Sequence, residues 1–434
     1  MRKPSVAGII QNTLMRRIAM VAGGNTLAQL VTIAFAPIIT RIYSPEQYGI
    51  QGVFLAAISV LSPIVAFRYP MAIVIAEDEQ EAFRVRRLSL LVAGANSFVL
   101  GLIIVLAPEQ LLSRLGLAEL GWLVLLLPIA VLLTACQEIA VYGAIRANQF
   151  RSLSMVATVH ALLLNGSRAI AGRFSPTGVT LAVISTFGPG LYAAMLSLRR
   201  RKVPADEKPG KGDMSWKALL REAKSRKDFP LLRTPTDLIY AAGQGAPVIL
   251  LSSSFGTAVA GWFTLALTAM TLPSNVVGGA VGNVLYSHYA ERWRQREPVF
   301  RGALKSTLLL VGPGAVLILG SMFAPALFGF FFGQEWREAG EYVRWLAIPT
   351  TVIFAQVPAV RLAPVIGRQD FLLVGNIIAL AVSLGAVFVS ATIWGEPQAS
   401  VAAFAVSSAV CNLILGLGLL IAAKRADGAN QESP

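Results

Sequence analysis

Charge is scarce in this chain and unevenly placed. Of 434 residues, 14% are Asp, Glu, Lys or Arg, against roughly 25% in an ordinary soluble protein. With 55% hydrophobic residues and a mean hydropathy of +0.64, there is too little polar surface to cover soluble domains of this size. Acids are the scarcer sign: 23 Asp and Glu stand against 37 Lys and Arg, a net charge of +14. The positive excess sits in loops between apolar stretches, so orientation in a membrane explains it better than binding to nucleic acid. The two cysteines, Cys136 and Cys411, lie inside apolar stretches, so no disulfide framework is expected. The two histidines, His160 and His288, have no metal-ligand partner at useful spacing, so no metal is expected, and His160 reads as a buried, hydrogen-bonded group. No G-x-x-x-x-G-K-[ST] loop occurs, which excludes ATP hydrolysis by the chain itself; Gly210-Lys211-Gly212 lacks the rest of that motif. No G-x-S-x-G elbow occurs either. The loops on the outer side are short, leaving no room for the acidic catalytic loop of a membrane glycosyltransferase or polymerase. No enzymatic activity and no cofactor are expected.

Long apolar stretches are what the chain has. A spanning helix needs roughly 20 mostly apolar residues. Twelve segments qualify: Ile18–Thr40, Ile50–Ile75, Leu88–Ala107, Trp122–Ile145, Leu153–Ala171, Gly178–Leu198, Leu231–Ser252, Val259–Tyr286, Leu304–Phe328, Trp345–Ile366, Phe371–Trp394 and Val401–Ala423. Arg16 and Arg17 precede a full-length span with no small-residue cleavage site after it, so the first segment reads as a span and not a signal peptide. With the N-terminus inside, the inner loops collect Arg84, Arg86, Arg87, Arg146, Arg151, Arg292, Arg294, Arg296, Arg301 and Lys305, and the outer ones only Arg41, Arg114, Arg173, Arg337 and Arg344. Both termini are therefore expected on the cytoplasmic side.

The fold class expected is an all-α polytopic membrane protein of about twelve transmembrane helices in two six-helix bundles. One bundle covers 1–198 and the other 231–423, with a basic cytoplasmic linker over 199–230 and a tail over 424–434. Within the linker, Ser215 can cap a short amphipathic helix. Trp216, Leu219, Leu220 and Ala223 would share one face and Lys217, Arg221 and Lys224 the other, suited to the membrane interface. The halves look like repeats. Tyr43 to Gly49 and Phe255 to Gly261 both bracket a short turn with an aromatic and a later glycine, and the same register sets Asn25 opposite Asp237.

A charge in the middle of a spanning helix costs about 2.5–3.5 kcal/mol on insertion scales, so it faces a cavity or a partner. Arg68, late in the second span, Arg168 in the fifth, Arg361 in the tenth and Asp237 in the seventh meet this description, with Glu138 in the fourth a lesser case. Three guanidiniums among few acids suit an anionic ligand, phosphate above all. The alternative is that they snorkel to an interface or pair with Glu138 and Asp237. Pro37, Pro63, Pro70, Gly188-Pro189-Gly190, Pro273, Gly312-Pro313-Gly314, Pro358 and Pro364 interrupt the spans, through bending or close packing.

Thr40 to Gly49, Phe67 to Ile73 with Asp78 to Ala82, Leu272-Pro273 with Gly278 to Gly282 and Ala290-Glu291, and Leu327 to Gly329 with Gly333 to Gly340 together resemble the polysaccharide transporter family of the multidrug/oligosaccharidyl-lipid/polysaccharide exporter superfamily, the Wzx-type flippases. The resemblance runs from about Gly24 to Arg425. Pro70 departs from it, standing where many relatives carry an acid. The resemblance implies two bundles arranged as a V around a central cavity. It implies translocation of an oligosaccharide on an undecaprenyl pyrophosphate carrier for surface polysaccharide synthesis, coupled to an ion gradient. It also implies membrane lipid and the pathway's polymerase and chain-length proteins as partners. The expected substrate-binding residues are Arg68, Arg168, Arg361, Arg41 and Asn25, and the expected ion-coupling residues Asp237 and Glu138. Rival readings are a drug or organic-cation antiporter of the same superfamily and a membrane polymerase or ligase.

Overall fold

An apolar segment crossing a membrane must satisfy every backbone N–H and C=O internally, and the α-helix does so within one segment. In the computed structural model, residues 6–199, 215–273 and 279–432 are described, and all regular structure among them is helical. The helices are α1 (Val6–Ile42), α2 (Pro45–Val65), α3 (Glu79–Leu106), α4 (Glu109–Arg114), α5 (Leu127–Arg146), α6 (Phe150–Phe174), α7 (Gly178–Leu198), α8 (Trp216–Ser225), α9 (Thr234–Phe255), α10 (Thr257–Pro273), α11 (Gly279–Arg294), α12 (Phe300–Ser321), α13 (Ala324–Phe332), α14 (Arg337–Ala355), α15 (Val357–Leu362), α16 (Gln369–Ile393) and α17 (Pro397–Glu432). Among the described residues nine helical stretches are long and apolar enough to cross a membrane, and Thr26–Ile42 and Thr257–Thr271 are shorter apolar helices. Each of the twelve expected spans overlaps one of these or α6, a 25-residue helix.

Several expected spans are shorter than the apolar run that suggested them. The second ends at Val65 because the chain then turns through left-handed Phe67 and Arg68 (φ 45° and 54°) into a 3-10 turn over Tyr69–Ile73. Arg68 therefore follows the span instead of lying in it. The eighth is described as far as Pro273, in α10, and again from Gly279, in α11; residues 274–278 lie outside the described residues. The tenth divides at Gln356, and Pro358 opens the short α15 that carries Arg361. The expected tail is not a separate segment: α17 continues to Glu432. Asp427, buried on it, accepts hydrogen bonds from the N–H groups of Val299 and Phe300 (3.0 and 2.9 Å) and so caps the start of α12.

The described residues group into two compact units, Met1–Tyr43 with Phe54–Ala241, and Ser44–Val53 with Ala242–Pro434. In the first, α1 packs along α6, α5 on α7 and α3 on α5. Gly172 lets α6 approach Ile42 and Tyr43, whose hydroxyl donates to the Arg168 carbonyl at 2.9 Å. His160, half-buried, bonds the Gly188 carbonyl at 2.9 Å and meets Tyr192 edge-on. In the second unit α16 and α14 pack on α17, and α12 and α10 on α14.

The start of α2 belongs to the second unit and meets the start of α10 reciprocally. A Cβ on Gly49 would strike the Thr257 carbonyl, one on Gly261 the Pro45 carbonyl, and one on Gly52 the side chain of Thr264. Positions paired by the repeat register thus face one another about a local two-fold, and only glycine permits the approach. Tyr48 stacks edge-on against buried Trp336 (5.4 Å between centroids), and Trp262 donates to the Glu335 carbonyl at 2.8 Å.

Candidate functional site

The end of α2 sets the position of Arg68. Asn96 on α3 donates to the carbonyls of Ile64 and Val65 (3.3 and 3.0 Å), satisfying the helix end without another turn. Two consecutive left-handed residues without glycine each cost about 1–3 kcal/mol, and the surroundings must hold them. Ala72 and Ile73 are fully buried against Val85 and Ile139. Arg146, at the end of α5, donates to the carbonyls of Ile73 and Ala76 (3.2 and 2.5 Å) and pairs with Glu79 at 2.7 Å.

The guanidinium so placed lies between two acids. Its Nη1 donates to Glu138 Oε1 on α5 at 2.5 Å. Its Nε lies 2.8 Å from Asp237 Oδ2, near the start of α9, a charge contact without hydrogen-bond alignment. The other Asp237 oxygen meets Arg233 Nη2 at 3.2 Å, one helical turn away. Arg68, Glu138 and Asp237 are each about one-fifth exposed (17%, 22% and 17%), while Arg233 is half exposed. The four charges alternate in sign and sum to zero. A π-helical turn over Phe229–Arg233 leads into α9 and delivers Arg233 and Asp237 to this place. Residues up to Ala241 accordingly group with the first unit.

The amphipathic linker helix docks beside this network. Ser215 caps α8 by accepting from the Ala218 N–H at 3.3 Å. Its faces divide differently from the expected ones. Leu219 is buried with Tyr69 and Leu88, and Glu222 is buried too, while Trp216 and Leu220 are exposed. Glu222 is held by Arg226 (2.7 Å) and Arg84 (3.6 Å), and Arg226 also pairs with Glu81. Burial would lower the Arg226 pKa, but Glu222 and Glu81 more than offset it and the net direction is up. The linker residues 200–214 lie outside the described residues.

Arg168 sits elsewhere in the first unit. Its Nη2 donates to Ser185 Oγ at 3.1 Å and its Nη1 to Asn165 Oδ1 at 3.4 Å, and Asn165 in turn bonds Thr32 and the Ala161 carbonyl. Glu138 lies about 12 Å along α5 from Arg146, and Arg168 about 27 Å along α6 from Phe150, at 1.5 Å per residue. Those helix ends are joined by a short turn, so Arg168 and the Glu138–Arg68 pair are offset by about 15 Å in depth. Arg361, in the second unit, is half-buried against α11, where its Nε would lie 2.7 Å from a Cβ on Gly282. Among the described residues it has neither a carboxylate nor a hydrogen-bond partner. Arg41 closes α1 and is exposed. Asn25 lies within α1, its side chain outside the described residues.

The sequence had singled out Arg68, Glu138 and Asp237 separately and left their pairing as one alternative; the structure brings them together. Arg146, Arg226, Glu222 and Asp427 carried no sequence signal beyond being charged residues at segment ends. The i, i+4 spacing of Arg233 and Asp237 was the one local sign of pairing.

Such helices define a polytopic membrane protein. The chain belongs to the family described as "Polysaccharide biosynthesis protein", whose model matches residues 38–341. A curated relative, the succinoglycan biosynthesis transport protein ExoT of Rhizobium meliloti (strain 1021), is 24% identical over 327 residues. That match covers 73% of this chain and 62% of ExoT, so the chain spans less than two thirds of its relative's length. Among solved structures, the lipid II flippase MurJ in an inward closed conformation has a similar fold (TM-score 0.72, 10% identity, 95% of this chain and 90% of MurJ covered). So has an inward-facing MATE family multidrug resistance transporter of the MOP superfamily (TM-score 0.69, 13% identity, 94% and 96% covered). A MOP superfamily transporter from Pyrococcus furiosus matches at TM-score 0.61 and 11% identity, with 96% of each chain covered.

Proposed function

We propose that the protein is a flippase that carries oligosaccharide repeat units, linked to undecaprenyl pyrophosphate, from the inner to the outer leaflet of the cytoplasmic membrane for surface polysaccharide synthesis. It acts there as a transporter and not an enzyme, with both termini cytoplasmic. Membership in the polysaccharide biosynthesis family and the likeness to a succinoglycan transport protein support this reading. The observation that carries it is Arg361, a half-buried guanidinium seated on glycine with no acid to neutralise it among the described residues. A planar fork left open in an apolar setting suits phosphate oxygens. Arg168, Arg68, Arg41 and Asn25 are further contacts for the carrier and its sugars. The polymerase and chain-length proteins of the pathway receive the product.

Arg68 has a double part in this proposal. Glu138 and Asp237 hold its guanidinium, so a phosphate competes with them for it. A proton taken up by either carboxylate loosens that hold and favours phosphate. By linkage, phosphate at Arg68 then favours uptake of the ion. Asp237 and Glu138 are the ion-coupling residues in this sense. A drug antiporter, the reading favoured by the likeness to a MATE transporter, would instead use these acids to bind cations.

The test is flipping of a lipid-linked glycan in proteoliposomes, with and without an imposed proton or sodium gradient. Arg361→Ala is expected to lose most flipping and Arg361→Lys part of it, with insertion intact. Normal flipping by Arg361→Ala sinks the phosphate assignment. Export of organic cations without glycan flipping returns the protein to the antiporter reading.

A further inference from the structure

At the end of the second unit where α17 outruns α16, a pocket of about 470 Å³ is lined by Ile366, Arg368, Phe371, Ile421, Arg425 and small residues of α17. Its floor follows from helix periodicity. Gly418, Ile421, Ala422, Arg425 and Ala426 recur at i, i+3, i+4, i+7 and i+8, one stripe of α17. The other stripe, Leu415, Leu419, Leu420 and Ala423, is buried in the core with Tyr289 and Leu362. Phe371 lies on Gly418, where a Cβ would be 2.6 Å from its ring. The turn at Gly367 (φ +69°) sets Arg368 over the Phe371 ring, 5.8 Å from its centroid.

Two cations thus sit above an apolar slot. Among the described residues the carboxylate paired with Arg368 is Asp370, a loose contact at 3.6 Å between groups 49% and 74% exposed. Arg425 is exposed, with no hydrogen bond or ion pair among the described residues. Their depth is set by α16, whose 25 residues span about 37 Å against a hydrocarbon core of about 30 Å. Exposed Trp394 follows its other end, beside Trp345, as aromatics do at a membrane interface. Arg368 and Arg425 therefore lie at the level of the opposite headgroups. Exposed Ile414, Leu417 and Ile421 continue the slot along α17 into the lipid-facing surface.

We infer that this pocket binds one anionic phospholipid, its phosphate at Arg368 and Arg425 and an acyl chain along Ile421 and Gly418 against Phe371. The inference does not depend on the flippase reading. Bound lipid ties the turn before α16 to the end of α17. It thereby buttresses α15, which carries Arg361 and packs on α17.

The experiment is native mass spectrometry of the purified full-length protein exposed to equal amounts of phosphatidylglycerol and phosphatidylcholine. The intact protein is expected to retain phosphatidylglycerol about tenfold better, two basic groups being discounted for exposure and for Asp370. R368Q/R425Q is expected to bring the two lipids level, with R425Q alone intermediate. Ala422→Phe, which fills the slot, is expected to reduce retention of both, and Arg344→Gln, an exposed site away from the pocket, to change nothing. Equal retention by the intact protein, or an undiminished preference in R368Q/R425Q that is folded by size exclusion, overturns the inference. So does displacement by millimolar inorganic phosphate, which marks a plain anion site, or by undecaprenyl phosphate at equal concentration, which marks a site for the carrier.

Discussion

Arg68 and Asp237 meet at 2.8 Å although they lie in opposite halves of the chain. One follows the first long span after the N-terminal helix, and the other opens the first helix after the linker. Both lie in the first unit, which takes in α9 as far as Ala241. The same guanidinium holds Glu138 at 2.5 Å, so one residue bridges two carboxylates, and Arg233 supplies the second positive charge.

Removing Arg68 strands Glu138 and leaves Asp237 with the half-exposed Arg233 alone, whereas removing Asp237 leaves Arg68 with Glu138. Arg68→Ala is expected to destabilise the protein by about 3 kcal/mol, the range for breaking a buried pair. Asp237→Asn should cost clearly less. Thermal unfolding in detergent measures the difference, and equal costs would mean that Arg68 does not bridge the two acids.

Under the coupling proposal, Asp237→Asn keeps slow downhill exchange and loses the gradient-driven part of flipping. Proteoliposomes with and without an ion gradient separate the two. A full gradient response in Asp237→Asn assigns the residue to structure alone.

The glycine contacts between α2 and α10 predict matched effects from matched positions. Gly49→Ala and Gly261→Ala each drive a methyl into a carbonyl of the facing helix and should each destabilise by about 1–3 kcal/mol. Gly23→Ala, where an added Cβ meets nothing, should be near neutral. Thermal midpoints of the three variants decide it.

Asp427 caps α12 with both oxygens, so Asp427→Ala should cost about 1–2 kcal/mol and speed hydrogen exchange at Val299 and Phe300. Truncation after Lys424 should have the same effect. Unchanged exchange in both would show that the cap is not held in solution.

Orientation is open to a labelling test. A single cysteine at Ser215, in a background lacking Cys136 and Cys411, is expected to react only with reagents that cross the membrane, and one at Gly333 with impermeant reagents in intact cells. The reverse pattern would invert the assignment of cytoplasmic termini.

The apolar runs, their number and the repeat register were legible because they are local or periodic. A helix of about 20 apolar residues has one way to satisfy its backbone in lipid. The register that aligns Tyr43 with Phe255 brings Gly49 and Gly261 into the reciprocal contact of α2 and α10. Where the spans stop was less legible. The apolar run through Arg68 gives no sign that Asn96 caps α2 from another helix. Nothing in the polar pattern of α8 tells that Glu222 and Leu219 turn inward while Trp216 stays out.

Composition and spacing by themselves determined that this is an α-helical membrane protein of long apolar segments with few charges among them. Each of those properties is a sum over neighbours in sequence. Only the tertiary structure decided which charges neutralise which: Arg68 with Glu138 and Asp237, Arg226 with Glu222 and Glu81, and Arg361 with no acid among the described residues. An ion pair depends on a separation of a few ångströms between helices far apart in sequence, and that distance is set by how the helices pack.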